Sequence, residues 1–239
     1  VNYDNVCSRA LGKKLQGTVW WVSASPLRRG ISGAFFEQGW AIIRSGTTTV
    51  RVLPRAESPL FGDHQNANIL QAILACWLAG VHPSIIRHAI KMFKGVAGRL
   101  EHVRTHNSIR YINDTAATSP DAVIAGLRAV QQKPASVVLI AGGTDKNLDY
   151  KQLIRIIRRS CRAVVLLPGT ATDAMKRSLV TTRGLAVKEA GTMTEAITMA
   201  RSFAQVGDTV LLSPGAASFG LFKNAYDRGD QFRSVIQQL

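Results

Sequence analysis

Cysteine is scarce, with three residues among 239 (Cys7, Cys76 and Cys161), far apart and forming no CxxC pair. That spacing offers neither a zinc site nor a disulfide framework, so the reading is three isolated buried thiols with structural roles. Acidic side chains are half as frequent as basic ones, 15 against 30, for a formal charge of +15. Long apolar runs are lacking as well. No uninterrupted stretch of about 18 apolar residues occurs, so no membrane-spanning helix is expected. The first residues show no basic-then-apolar export pattern, and the cytoplasm is the expected compartment.

Aromatic residues make up only 7% and show no RNA-binding signature; neither a zinc-finger nor a helix-turn-helix pattern occurs. Nucleic acid is therefore not an expected partner, whereas an enzyme handling polyanionic nucleotides fits the charge. The basic residues are scattered. Their densest cluster, Arg155, Arg158, Arg159 and Arg162, is interleaved with Leu153, Ile154, Ile156 and Ile157, the pattern of an amphipathic helix with a solvated cationic side.

What the chain does have is core: 46% of residues are hydrophobic, enough for one large domain or two modest ones. Its halves differ. Residues 19–23, 34–44 and 47–53 are short, β-rich and separated by Gly or Ser-Gly, as in antiparallel strands and hairpins. Helices are predicted over Ala67–Leu78 and Pro83–Phe93, the second opened by proline. The glycine-punctuated, basic segment "FKGVAGRLEHV" then reads as a hinge.

Beyond it strands and helices alternate: strand 108–113, helix 120–132, strand 136–141, helix 149–160, strand 162–167, helix 171–181, strand 185–188, helix 193–205, strand 209–213 and a last helix from about 219. "SVVLIAGG" and "AVVLLPG" are continuous β-branched and leucine runs, expected of strands buried on both faces of a parallel sheet. The fold class is α/β, and this half is a Rossmann-like open-sheet domain.

Such sheets bind ligands at the carboxyl ends of their strands, and three strand ends have unusual composition. In "YINDTAATSPDA" Asp114 stands at the strand mouth, able to accept from a ribose or orient a cation, with the hydroxyls of Thr115 and Thr118 beyond it. A helix cap accounts for Ser119 and Asp121 and explains Asp114 less well. In "LIAGGTDKN" Lys146 follows a Gly-Gly turn, where a solvated lysine is as good a reading as a ligand-binding one. In "LLSPGAASFGLFKN" small residues precede Ser218 at an expected helix start, where it can bind a carboxylate. If the three share a rim, it suits an anionic amino acid held beside a nucleotide. The histidine pair His102 and His106 lies in a segment that reads extended, so a metal site is not expected there.

These segments, together with "GDHQNANILQAILACWLAGV" and the terminal "AYDRGDQF", resemble in content and order the Mur ligases of peptidoglycan synthesis, particularly the glutamate-adding branch, over essentially the whole chain. The opening "VNYDNV" is similar to an Asn-x-Asp-Asp segment of the family's central ATPase domain. The resemblance implies that residues 1–97 are the C-terminal part of the ATPase domain and residues 98–239 the glutamate-binding C-terminal ligase domain. It further implies ATP-dependent amide formation through an acyl phosphate between UDP-N-acetylmuramoyl-L-alanine and glutamate, with Mg²⁺, by an enzyme that is monomeric at full length. By position, Asn68, Arg99 and Asp114 match nucleotide contacts, and Thr118, Lys146 and Ser218 match residues holding glutamate.

The sequence also departs from the family pattern. Gln65 stands for an asparagine, Gly98 for a histidine, Ala116 for a lysine and Ala225 for an aromatic residue; the last two leave the glutamate enantiomer open. Neither "LGKKLQG" nor "FKGVAGR" is a P-loop. That loop, the UDP-binding domain and the main Mg²⁺ ligands are expected upstream of Val1, and the chain alone is expected to be inactive. The alternatives are a non-catalytic binding protein on the same folds and a folylpolyglutamate-synthase-like ligase, which fits "LLSPGAASFGLFKN" poorly.

Overall fold

The chain divides between Lys94 and Gly95 into two units. The computed structural model describes residues 1–60, 62–134 and 136–239. The first unit contains α1 (Val6–Gly12), β1 (Trp21–Ser23), β2 (Gly33–Glu37), β3 (Trp40–Ser45), β4 (Thr48–Pro54), α2 (Asp63–Leu78) and α3 (Pro83–Met92). Its four strands lie in sequence order. The predicted single stretch 34–44 is a hairpin: Gln38 and Gly39, at φ 49° and 78°, turn the chain so that Glu37 pairs with Trp40. Consecutive positive φ values match the right-handed twist of the strands they join.

One expectation for this unit needs correction, and one helix is additional to those expected. β1 pairs with β2 in parallel, because residues 24–32 are long enough to return the chain to the same end before β2 begins. α1 was not anticipated from sequence; the Asn5 side chain caps it by accepting the Ser8 N–H at 2.9 Å. Against the sheet, α2 and α3 bury Leu70, Ile73 and Ile86 over Phe36, Ile43 and Leu53.

The second unit contains β5 (Glu101–His106), β6 (Ile109–Asn113), α4 (Pro120–Val130), β7 (Val137–Gly142), α5 (Lys151–Ser160), β8 (Cys161–Leu167), α6 (Thr170–Leu179), β9 (Ala186–Glu189), α7 (Met193–Phe203), β10 (Thr209–Leu212) and α8 (Ala225–Gln237). Its sheet has the order β5-β6-β10-β7-β8-β9. Every neighbouring pair is parallel except the edge hairpin of β5 and β6. β7 and β10 are buried along their whole length, as their apolar runs require when helices cover both faces. Leu127 of α4, Leu153 and Ile157 of α5 and Met175 of α6 pack with Leu139 and Leu211 on one face. Ile197 of α7 and Phe232 and Ile236 of α8 pack with Val138 and Val210 on the other. On α5, Arg155, Arg158 and Arg159 face solvent.

The supposed hinge continues into an ordered edge strand, β5. The last helix starts at Ala225 rather than near 219: Gly220, at φ 97°, interrupts any helical run, and the Asn224 side chain caps the true start by accepting the Asp227 N–H at 2.9 Å. For function, the decisive feature is strand order. β10, the last strand in sequence, lies between β6 and β7, so the three unusual strand ends are neighbours.

Candidate functional site

Because β6, β10 and β7 are parallel and adjacent, the loops leaving their carboxyl ends open on one edge of the sheet. Backbone bonds fasten these loops together. Gly215 N–H donates to Ala117 O at 2.8 Å, and Gly142 N–H to Pro214 O at 2.9 Å. Thr144 and Ala217 exchange two backbone bonds of 2.9 and 3.0 Å, and the Thr144 hydroxyl donates to Phe219 O at 2.8 Å. This closeness explains Gly143, which sits at φ 131° and whose added Cβ would lie 2.2 Å from Ala217 O. A side chain there would be excluded by both backbone conformation and space.

On this rim Lys146 Nζ donates to Thr118 Oγ1 at 2.9 Å. The lysine is exposed and the threonine half-buried. Ser218 follows the bridged Ala217 directly and is only 6% exposed. It does not open a helix, since α8 begins several residues later, so its hydroxyl and not a helix terminus is what it offers to a ligand. Ser119 does stand at the N-cap of α4, yet its side chain makes no capping bond. Its carbonyl accepts Val123 N–H, and Pro120, at the first helical position, has no N–H that would otherwise be left unpaired there.

Asp114 faces inward and is 7% exposed. One carboxyl oxygen accepts Leu100 N–H at 3.1 Å, and the other accepts the Ser213 hydroxyl at 2.9 Å. Gly126 on α4 makes room for it: a Cβ there would come within 2.8 Å of Asp114 Oδ2. Burial pushes the Asp114 pKa up to about 6, with Ser213, Leu100 and the charge of Arg99 pulling in the opposite direction. The carboxyl therefore braces the strand mouth and the turn that carries Arg99.

Arg99 is exposed. With Thr118, Ala116, Ala225, Tyr226 and Arg233 it lines an open cavity of about 300 Å³. Arg233 forks onto Glu101 through two 3.0 Å bonds, so its charge is already used. The Arg99 guanidinium has no hydrogen-bond acceptor among the described residues and remains available to an anionic ligand. Asn68 belongs to the first unit, exposed on α2, and its amide donates to Gln65 Oε1 at 3.0 Å. Among the described residues no group of three or more His, Cys, Asp or Glu side chains gathers as a metal site.

Sequence reasoning passed over Arg228. On α8 it shares the apolar face with Phe232 and Ile236 at helical spacing, and it is fully buried. Its guanidinium donates to Thr115 Oγ1 at 3.0 Å, Thr115 O at 3.0 Å and Ala216 O at 3.3 Å. A basic residue in register with an apolar stripe was the available signal.

A largely parallel open sheet with a lysine, hydroxyls and an arginine at adjacent strand mouths defines an α/β domain of the class whose ligand sites lie at the carboxyl ends of the strands. Residues 98–215 match the family described as Mur ligase, glutamate ligase domain, and this part of the chain is a Mur ligase C-terminal domain. The chain is similar to the UDP-N-acetylmuramoylalanine–D-glutamate ligase of Roseiflexus sp., with 40% identity over 248 residues covering 99% of this chain and 52% of that protein. The ligase of the same name from Symbiobacterium thermophilum is 34% identical over 244 residues, covering 100% of this chain and 52% of that protein. The chain thus spans about half the length of the curated relatives it matches, in their C-terminal half. In fold it is similar to the MurF ligase of Thermotoga maritima in complex with ADP, with a TM-score of 0.64 at 14% identity, covering 99% of this chain and 53% of that one.

Proposed function

We propose that this chain is the glutamate-binding part, with part of the ATPase domain, of a cytoplasmic ligase that joins D-glutamate to UDP-N-acetylmuramoyl-L-alanine in peptidoglycan synthesis. The observation that carries the reading is the Lys146–Thr118 bond between two strand mouths, with Ser218 in the loop that leaves the strand between them. Lys146 pairs its ammonium with a glutamate carboxylate. Thr118 and Ser218 supply hydroxyls that fix the orientation of the amino acid, so that its amine points toward the acyl group it attacks. The enzyme names of the relatives support the D enantiomer.

Asn68 in the first unit, and Arg99 and Asp114 in the second, are the residues proposed for nucleotide contact, each within its own unit. The exposed Arg99 guanidinium suits a nucleotide, and Asp114 acts by holding the turn that carries it. ATP, when bound with Mg²⁺, supplies the phosphoryl group that activates the carboxylate of UDP-N-acetylmuramoyl-L-alanine. Among the described residues there is no acidic cluster to hold the metal ion, and no step of this reading is routed through it.

The reading is tested by titrating the chain with each glutamate enantiomer while following the amides of Thr118, Lys146 and Ser218 by NMR. D-glutamate is expected to shift all three, and Lys146→Ala to weaken that response at least about tenfold, the loss of one charge-assisted pair. Silence toward both enantiomers would sink the proposal. Fusion of the upstream half of the Roseiflexus relative to this chain is expected to give amide formation dependent on both substrates and ATP, while the chain alone, whose sequence holds no P-loop, is expected to show none.

A further inference from the structure

Arg228 is the residue whose setting the proposed glutamate chemistry does not yet explain. Its side chain is fully buried, and among the described residues no carboxylate accepts from it. Its acceptors are two backbone carbonyls and one hydroxyl. Burial pulls its pKa down to about 10, which still leaves it charged at neutral pH. An arginine removed from water without a counter-ion is a costly element in a core that Met or Leu could fill. Its acceptors are also not spread at random. Thr115 lies in the loop leaving β6, three residues before Thr118, and Ala216 lies in the loop leaving β10, two residues before Ser218.

Thr115 extends the connection. Its hydroxyl accepts from Arg228 Nε and donates to Ala225 O at 2.8 Å, so the start of α8 is tied to the same point. The planar fork of an arginine reaches acceptors in two directions at once, which a lysine ammonium on a single stem does not.

We propose that Arg228 is a positioning residue: from behind the rim it fixes the loop carrying Thr118 and the loop carrying Ser218 in one mutual setting, so that both hydroxyls meet the same amino acid. The identity of that amino acid rests on the function proposed above; the clamping of the two loops does not. Buried below the strand mouths, the guanidinium is kept from contact with ligand and acts through the two loops.

The test compares the chain with Arg228→Lys, which keeps the charge and loses the fork, and Arg228→Met, which keeps the bulk alone. Amide hydrogen exchange is read at Ala117, Thr118 and Ala217, whose N–H groups are bonded within this rim, and at Leu139 and Leu211 in the sheet. Exchange at the rim amides is expected to speed up at least about tenfold in both variants while the sheet amides keep their protection. Uniform acceleration at every site would mark a stability role only, and unchanged rim exchange would refute the clamp.

If neither arginine variant folds, Thr115→Val removes one acceptor from the other end and carries the same expectation, with Thr115→Ser restoring the original exchange. D-glutamate titration forms a separate arm. Lys146→Ala and Arg228→Lys should both weaken binding, but only the latter should loosen the rim in the absence of ligand. A wild-type chain deaf to glutamate whose rim still loosens in Arg228→Lys would reject the ligand and keep the clamp.

Discussion

Replacing Asp114 with Asn should make the second unit more stable at neutral pH, by an amount that depends on pH in a defined way. Burial raises the carboxyl from its ordinary 3.8 to about 6. Below the lower value it is protonated in both the folded and the unfolded chain. As pH rises from about 4 to about 6, the unfolded chain ionises first, and the wild type loses stability until the folded carboxyl ionises too. Two pKa units at about 1.4 kcal/mol each set the total near 3 kcal/mol. Asparagine does not titrate; its carbonyl still accepts Leu100 N–H, and its amide can donate to the Ser213 oxygen. The advantage of Asp114→Asn over wild type should therefore grow by about 3 kcal/mol between pH 3.5 and 7.5 and then level off. Urea unfolding followed by far-UV circular dichroism measures it. The four tryptophans, Trp20, Trp21, Trp40 and Trp77, all lie in the first unit, so their fluorescence is an internal control that the substitution should leave unchanged. A stability difference that is flat with pH, or that turns toward the wild type as pH rises, would mean that Arg99 and the two hydrogen bonds outweigh desolvation.

Gly143→Ala should destabilise the second unit by about 3 kcal/mol or more, since it combines a disfavoured φ with a 2.2 Å approach to Ala217 O; a urea midpoint close to wild type would contradict the tight junction of the two loops. Contrary to the expectation of three buried thiols, Cys7 and Cys76 are exposed and only Cys161 is buried, with burial pushing the Cys161 thiol up. A thiol reagent should therefore modify two residues in the native chain and reach Cys161 only on unfolding, as a mass-spectrometric map of labelled peptides would reveal.

Much of the second unit is legible in the sequence because its parallel strands are apolar without interruption and its helices carry single apolar stripes. Runs such as Val137–Gly142 leave little choice of environment. The first unit is harder to read for a physical reason: parallel and antiparallel pairing place the same residues in strands, and only the length of the connection over 24–32 distinguishes them. α1 has few apolar contacts to announce it and depends on a cap. Sequence also cannot supply strand order. That β10 inserts between β6 and β7 is settled by the packing of α4 to α8, and it is this insertion that joins Asp114, Lys146 and Ser218 on one edge.

Strand order also changes the meaning of the departures from the family pattern. Read from the resemblance in sequence, Ala116 and Ala225 stand as two separate departures, one where a charge is expected and one where a ring is expected. In space both line the cavity that Arg99 and Thr118 line, because the loop after β6 and the start of α8 are tied at Thr115, whose hydroxyl donates to Ala225 O. Two short side chains facing one cavity enlarge it together, and their effects on a ligand are coupled, as expected for residues sharing one space. Tyr226, beside Ala225, lines the same cavity while remaining 78% exposed, so an aromatic group is still present at its lip, one residue further along the chain. Restoring either long side chain alone should therefore change the fit of a ligand by an amount that depends on whether the other has been restored.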